Sequence, residues 1–283
     1  MPYKHAPYYV AAVIAVIILG FWPSYWSVLG TSRWQFHLHG AASSVWVLMV
    51  LFQSWSVQKE RLAMHRATGK ASLFLFPILT GGLTGIIDVT AKNYATGDAA
   101  ANPVTMMFGP AFLIGLVAAL AAYLTLYYLA LKNRRKVWPH AGYLLGTPII
   151  LFESPFSRMM TNFNVPGFTI RGPEDFDKIL PGILYSDALA ILFCLAVYWR
   201  VGPRAFPFLV TAGFVGLQML VMGTMNEMAL LKSAMVSLSA VPSAAMVATG
   251  MLMGAAASWL GWQAGKRPAV PAGGAGAGAA FTA

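Results

Sequence analysis

Residues 35–57 read Gln35-Phe36-His37-Leu38-His39-Gly40-Ala41-Ala42-Ser43-Ser44-Val45-Trp46-Val47-Leu48-Met49-Val50-Leu51-Phe52-Gln53-Ser54-Trp55-Ser56-Val57, and this stretch decides the fold. It carries no Asp, Glu, Lys or Arg. A run of about 20 such residues, rising 1.5 Å each, is enough to cross a ~30 Å hydrocarbon core. Similar stretches recur at about 7–29, 71–91, 104–131, 138–158, 180–199, 205–225 and 235–262, eight in all. Across its 283 residues the chain is 58% hydrophobic and only 10% charged, with a mean hydropathy of +0.64. A soluble chain carries about 25% charged residues. The expectation is an all-α, polytopic transmembrane helical bundle of about eight spans over residues 1–264. A β-barrel is excluded because it would show short alternating segments.

Charge placement gives the expected orientation. With the N-terminus inside, 13 of the Lys and Arg residues fall on the inner side and 6 on the outer. The positive-inside rule then puts both termini in the cytoplasm, which an even span number allows. The net charge of +10 is therefore a topology signal and a contact for anionic lipid head groups at the cytoplasmic loops, not a nucleic-acid surface. Phe21-Trp22-Pro23-Ser24-Tyr25-Trp26 reads as an interfacial aromatic belt, so the first span is expected to be retained, not cleaved as a signal peptide. Residues 265–283 are rich in Ala, Gly and Pro and form an expected disordered tail. A single cysteine, Cys194, excludes an internal disulfide and a Cys-rich metal site.

The histidines cluster at the ends of apolar spans. His37 and His39 open the second span, His65 follows its far end, and His140 opens the fifth. In the second span His39, Ser43, Trp46, Val50 and Gln53 recur at intervals of 4, 3, 4 and 3, which places them on one helix face. His140, Thr147, Leu151, Ser154 and Arg158 share a face of the fifth, where Pro148 and Pro155 predict a kink. A short internal repeat links the two regions. Arg61-x-x-x-His65 and Lys136-x-x-x-His140 each follow a span and a basic loop.

Depth then divides the polar residues into two layers. His37, His39, Asp88, Glu153, Asp187, Arg158 and Glu227 fall near the outer boundary. Carboxylates at such depth are costly, so they pair, bind a cation or carry protons. His37, His39, Asp88 and Glu153 are the candidate metal ligands, and Asp88, Glu153, Arg158, Asp187 and Glu227 the candidate proton or charge relay. His65 and His140 lie in the inner layer, where two histidines from adjacent hairpins suit axial haem ligation, or phosphate contact with help from neighbouring Arg and Lys. His39, His65 and His140 are thus the candidate cofactor ligands, for haem b or a divalent metal. Plainer readings stand beside these: interfacial histidines, Trp46 and Gln53 as packing glue, and Arg158 as a structural counter-ion. Gly250, Gly254, Ser258 and Gly261 are expected close-packing positions. P-loop, nucleophile-elbow and zinc-protease motifs are absent from the sequence.

The order His39, Trp46, Gln53, His65-Arg66-x-x-Gly69, then a basic loop with His140 and a helix ending at Arg158, resembles a set of uncharacterised bacterial multi-pass inner-membrane proteins. The resemblance covers residues 34–158. It departs after His140, where Ala141-Gly142-Tyr143 stands in place of a His-Arg pair. It implies an inner-membrane location and architecture, with a fainter similarity to haem-handling and oxidase-assembly membrane proteins. Three functions follow as expectations: a haem- or metal-binding redox or assembly factor, a proton-coupled carrier using Asp88, Glu153 and Asp187, or an accessory subunit with a membrane-protein partner.

Overall fold

The computed structural model describes residues 2–266, so most of the expected tail, from residue 267, lies outside the described residues. The chain folds into ten α-helices among the described residues, with no strand. They are α1 (Ala6–Phe21), α2 (Trp34–Gln58), α3 (Leu62–Ala95), α4 (Pro103–Lys132), α5 (Val137–Ile150), α6 (Glu153–Asn162), α7 (Ile179–Val201), α8 (Phe206–Thr224), α9 (Ala229–Ser239) and α10 (Ser243–Ala264). Five helical stretches are long and apolar enough to cross a membrane: α2, α3, α4, α10 and Pro173–Thr224. The last of these bends at Gly202 into α7 and α8, at φ +76 and ψ −157, a conformation essentially confined to glycine. The outward surface is apolar, as contact with lipid requires: Trp199 is 89% exposed, Phe74 78% and Leu252 70%.

Three expected spans are interrupted, each beside a proline. The first ends at Phe21 and does not reach residue 29. Pro23 cannot continue the helix and its ring opposes the Leu19 carbonyl four residues back. Asn162 Nδ2 takes up the freed end, donating to Leu19 O at 3.2 Å and Gly20 O at 3.0 Å. The fifth span is two helices, α5 and α6, broken at Leu151–Phe152. That break lies four residues before Pro155, at the carbonyl its ring would strike. Pro148 does not break α5; Thr147 Oγ1 donates to Leu144 O at 2.7 Å and so satisfies the carbonyl that Pro148 leaves without a donor. The last expected span starts only at Ser243, behind Pro242, and the residues before it form the separate helix α9.

Pro110 has a different solution. It lies inside the continuous helix α4, and the Asn226 side chain binds the backbone on either side of it. Ala111 N donates to Asn226 Oδ1 at 3.2 Å, and Asn226 Nδ2 donates to Met107 O at 2.9 Å. A side chain inserted in this way is a recognised cause of helix kinking.

The core centres on three aromatic rings from α2, α3 and α4. Phe76 stacks on Tyr127 at 4.1 Å, and Trp46 packs against Phe76 at 5.3 Å and Tyr127 at 5.2 Å. Trp46 Nε1 donates to Thr147 Oγ1 at 2.9 Å, so the stripes of the second and fifth spans face each other. Along α10 the buried positions are Gly250, Gly254, Ser258 and Gly261. A Cβ at Gly254 would stand 2.8 Å from Pro77 Cα, so α10 and α3 touch backbone to backbone. The Thr80 and Thr84 hydroxyls in that seam donate back to carbonyls of α3 itself.

The basic connections gather at one end. Tyr3 OH donates to Arg204 O and the Tyr3 ring meets Trp138 at 5.1 Å. Arg134 lies over the Trp262 ring at 4.3 Å and donates to Trp262 O at 2.8 Å. The start of α1, the α4–α5 and α7–α8 connections and the end of α10 therefore meet at the same face.

Candidate functional site

His65 and His140 occupy equivalent places. Each is the fourth residue of its helix, α3 or α5, after a basic N-cap residue, Arg61 or Lys136. Each backbone N–H returns to that residue's carbonyl, at 3.1 Å for His65 and 3.0 Å for His140. The internal repeat is thus expressed as two helical hairpins that present a histidine at the same depth. The rings meet with centroids 6.2 Å apart and planes at 87°.

The surroundings fix how the pair is held. His140 Nδ1 lies 2.8 Å from Ala130 O, an acceptor, so Nδ1 carries the proton and Nε2 keeps its lone pair. Gln53 Nε2 donates to His65 O at 3.1 Å and to Thr68 Oγ1, clamping the first turn of α3. His65 Nδ1 is buried without a hydrogen-bond partner. A cavity of about 250 Å³ adjoins both rings and is also lined by Gln53, Arg134 and Tyr3. Burial pushes the Tyr3 phenol up to about 12, so it stays neutral there.

This geometry bears on ligand chemistry. At metal–nitrogen bonds of ~2.0–2.1 Å, two imidazoles on opposite sides of one ion hold their centroids ~6 Å apart, and at a tetrahedral angle only ~5 Å. The observed 6.2 Å is long enough for an ion between the rings, which stand edge to face at 87°. A metal-binding imidazole also usually donates its second nitrogen to a carbonyl or carboxylate, as His140 does. Among the described residues no group of three or more His, Cys, Asp or Glu is placed to hold a metal ion.

The outer-layer residues do not converge on one point. His37 Nδ1 contacts Tyr25 OH at 3.3 Å, and His39 Nδ1 faces Ser43 Oγ at 3.5 Å within its own helix. Asp88 is fully buried and pairs with Lys92 at 2.6 Å, one turn along α3. It also accepts from Gln35 Nε2 at 3.2 Å, while Lys92 donates to Ser243 Oγ at 2.6 Å. The four expected metal ligands His37, His39, Asp88 and Glu153 share no hydrogen bond and form no cluster. Glu227 lies in the α8–α9 connection, paired at the surface with Lys232 at 2.7 Å.

Glu153 and Asp187 do come together, on α6 and α7, within Coulombic range of each other. Gln218 Nε2 donates to Glu153 Oε2 at 3.3 Å. Both Asp187 carboxyl oxygens are buried without a hydrogen-bond partner. Arg158 makes no direct ion pair with Glu153 but stays within Coulombic range of it, donating to Ser154 O and Oγ at 2.9 and 2.6 Å and lying over the Phe21 ring.

Residue spacing alone missed Gln35, Lys92 and Gln218 as partners of the acids. Lys92 carried a signal, because it stands four residues after Asp88 on the same helix. Comparison with known protein families, characterised proteins and solved structures found no match.

Proposed function

We propose that this chain is a multi-pass protein of the bacterial inner membrane that holds a redox-active iron or other transition metal between His65 and His140. The observation that supports the reading is the His65–His140 pair, with centroids 6.2 Å apart and planes at 87°, and with His140 oriented by Ala130 O. Two imidazoles without a third protein ligand among the described residues would suit a haem iron, which His65 and His140 would hold. Arg134, its guanidinium held by Trp262, also lines the adjoining cavity and would be the nearest counter-charge for a carboxylate side arm. A macrocycle is larger than the 250 Å³ present, so its entry requires the lining Leu62, Leu144 and Leu145 side chains or the Tyr3 segment to move outward. The bound group would supply one-electron transfer, as a redox or assembly factor. Eight crossings fit this reading: α1, α2, α3, α4, the broken α5–α6, α7, α8 and α10, with the basic end cytoplasmic.

The test is ligand substitution. His65→Ala and His140→Ala should each strip the bound group from purified protein, while His39→Ala should leave it in place. Loss in His39→Ala with retention in both others would reject the assignment.

A second reading rests on Asp187, whose two buried oxygens lack partners beside Glu153. Such a pair suits proton exchange in a carrier. Asp187→Asn should then abolish pH-driven flux in proteoliposomes, and unchanged flux would reject it.

A further inference from the structure

A second cavity, of about 540 Å³, opens between α1, α5, α7 and α8. Its walls are apolar, with Val13 and Val16 from α1, Ile149 from α5, and Leu189, Phe193 and Val197 from α7. Along α1 the lining runs from Ala6 to Val16, and along α7 from Leu189 to Val201. At 1.5 Å per residue these runs are ~15 and ~18 Å long, close to half of a ~30 Å hydrocarbon core. The trench thus has the depth of one leaflet.

Its polar lining is confined to one end, and that end carries the cations Lys4 and Arg200, with His5 beside them and no carboxylate. Arg204 stands at the same mouth, stacked at 5.6 Å over Trp138, which is itself part of the lining. A neutral amphiphile would gain nothing from this set of charges. A phosphate diester at the head of an acyl chain would meet both halves of the site.

We propose that this trench binds an anionic phospholipid of the adjoining leaflet, with an acyl chain between α1 and α7 and its phosphate at Lys4 and Arg200. The histidine pair does not line the trench, although Tyr3, Ala6 and Leu145 line both cavities.

The test uses the whole chain in a neutral detergent, incubated with equimolar palmitoyl-oleoyl phosphatidylglycerol and phosphatidylcholine, with bound lipid counted by native mass spectrometry. Wild type should retain phosphatidylglycerol in clear excess. Each cation near a lipid surface contributes about fivefold, so K4Q/R200Q should bring the ratio close to parity. Leu189→Trp, which fills the trench, should reduce both lipids and so separate this site from the rest of the surface. Equal retention by wild type, an unchanged ratio in K4Q/R200Q, or displacement of the lipid by a neutral isoprenoid quinone would each overturn the proposal. If a variant fails to fold, wild type alone decides. Its preference should collapse between 0.05 and 0.5 M salt, where screening shortens to a few ångströms (about 4 Å), and a salt-independent preference would refute the phosphate contact.

Discussion

Replacing Thr147 with Val probes the contact that joins the two polar stripes. Val keeps the shape of the side chain and removes the hydroxyl. That hydroxyl accepts from Trp46 Nε1 at 2.9 Å and donates to Leu144 O at 2.7 Å, so two buried groups lose their partner together. In soluble interiors each orphaned group costs ~1–3 kcal/mol. Hydrogen bonds inside membrane bundles are worth less, averaging ~0.6 kcal/mol with a ceiling near ~1.7 kcal/mol, because the unfolded helices find other partners. With the membrane figure for both bonds, Thr147→Val should lose ~1–3 kcal/mol. Trp46→Phe removes the indole donor together with some buried ring volume, and Thr147 keeps its Leu144 acceptor. The coupling between the two changes therefore isolates one bond, at ~0.6–1.7 kcal/mol. Reversible unfolding in mixed micelles measures all four proteins. A Thr147→Val protein within ~0.3 kcal/mol of wild type, with no coupling to Trp46→Phe, would refute the reasoning.

Three further outcomes are expected. Gly254→Leu forces a side chain into Pro77 Cα, which cannot rotate away, and should cost ~1–3 kcal/mol or more in the same unfolding assay, whereas Leu252→Ala on the outward face should be near neutral. Gln53→Ala releases the clamp on the first turn of α3 and should weaken metal retention at His65 by about 10–100-fold while leaving the fold intact by circular dichroism. Lys232 beside Glu227 holds that carboxyl below its ordinary value, so the pair's contribution is present above the usual carboxylate range and is lost as pH falls through the lowered value. The thermal-stability gap between wild type and Glu227→Gln should therefore be small and flat from pH 5 to 8 and shrink as pH falls below the usual carboxylate range; a gap that grows on acidification would contradict the pairing.

Much of the architecture was written in the residue pattern. The runs around α2, α4, α7 and α8 lie within a few residues of the observed helices, because uninterrupted apolar sequence has few alternatives to a helix in lipid. The glycine stripe of α10 was equally legible, since only small residues let backbones touch. The helix breaks were harder to read. Pro148 and Pro155 carry the same local signal, each behind a hydroxyl residue, yet only Pro155 lies at a break: Thr147 Oγ1 bonds the carbonyl freed at Pro148, whereas Ser154 Oγ accepts from Arg158. The candidate site was legible in part. Spacing put His65 and His140 at the same depth, but their facing depends on how two hairpins pack, which no local pattern encodes. The acids show the converse. Depth put Asp88 and Glu153 in one layer, and packing gave Asp88 to Lys92 and Glu153 to Gln218. The trench between α1 and α7 had no sequence signal, because its walls are ordinary apolar residues and its cations read only as topology determinants.

The central claim is that His65 and His140 hold a metal from opposite sides. The absorption spectrum and elemental content of the full chain, purified in mild detergent after haem-replete expression, test it most directly. The account predicts a Soret band and about one iron per chain, with a low-spin bis-imidazole spectrum on reduction. A protein with no visible absorption and no bound transition metal would contradict it.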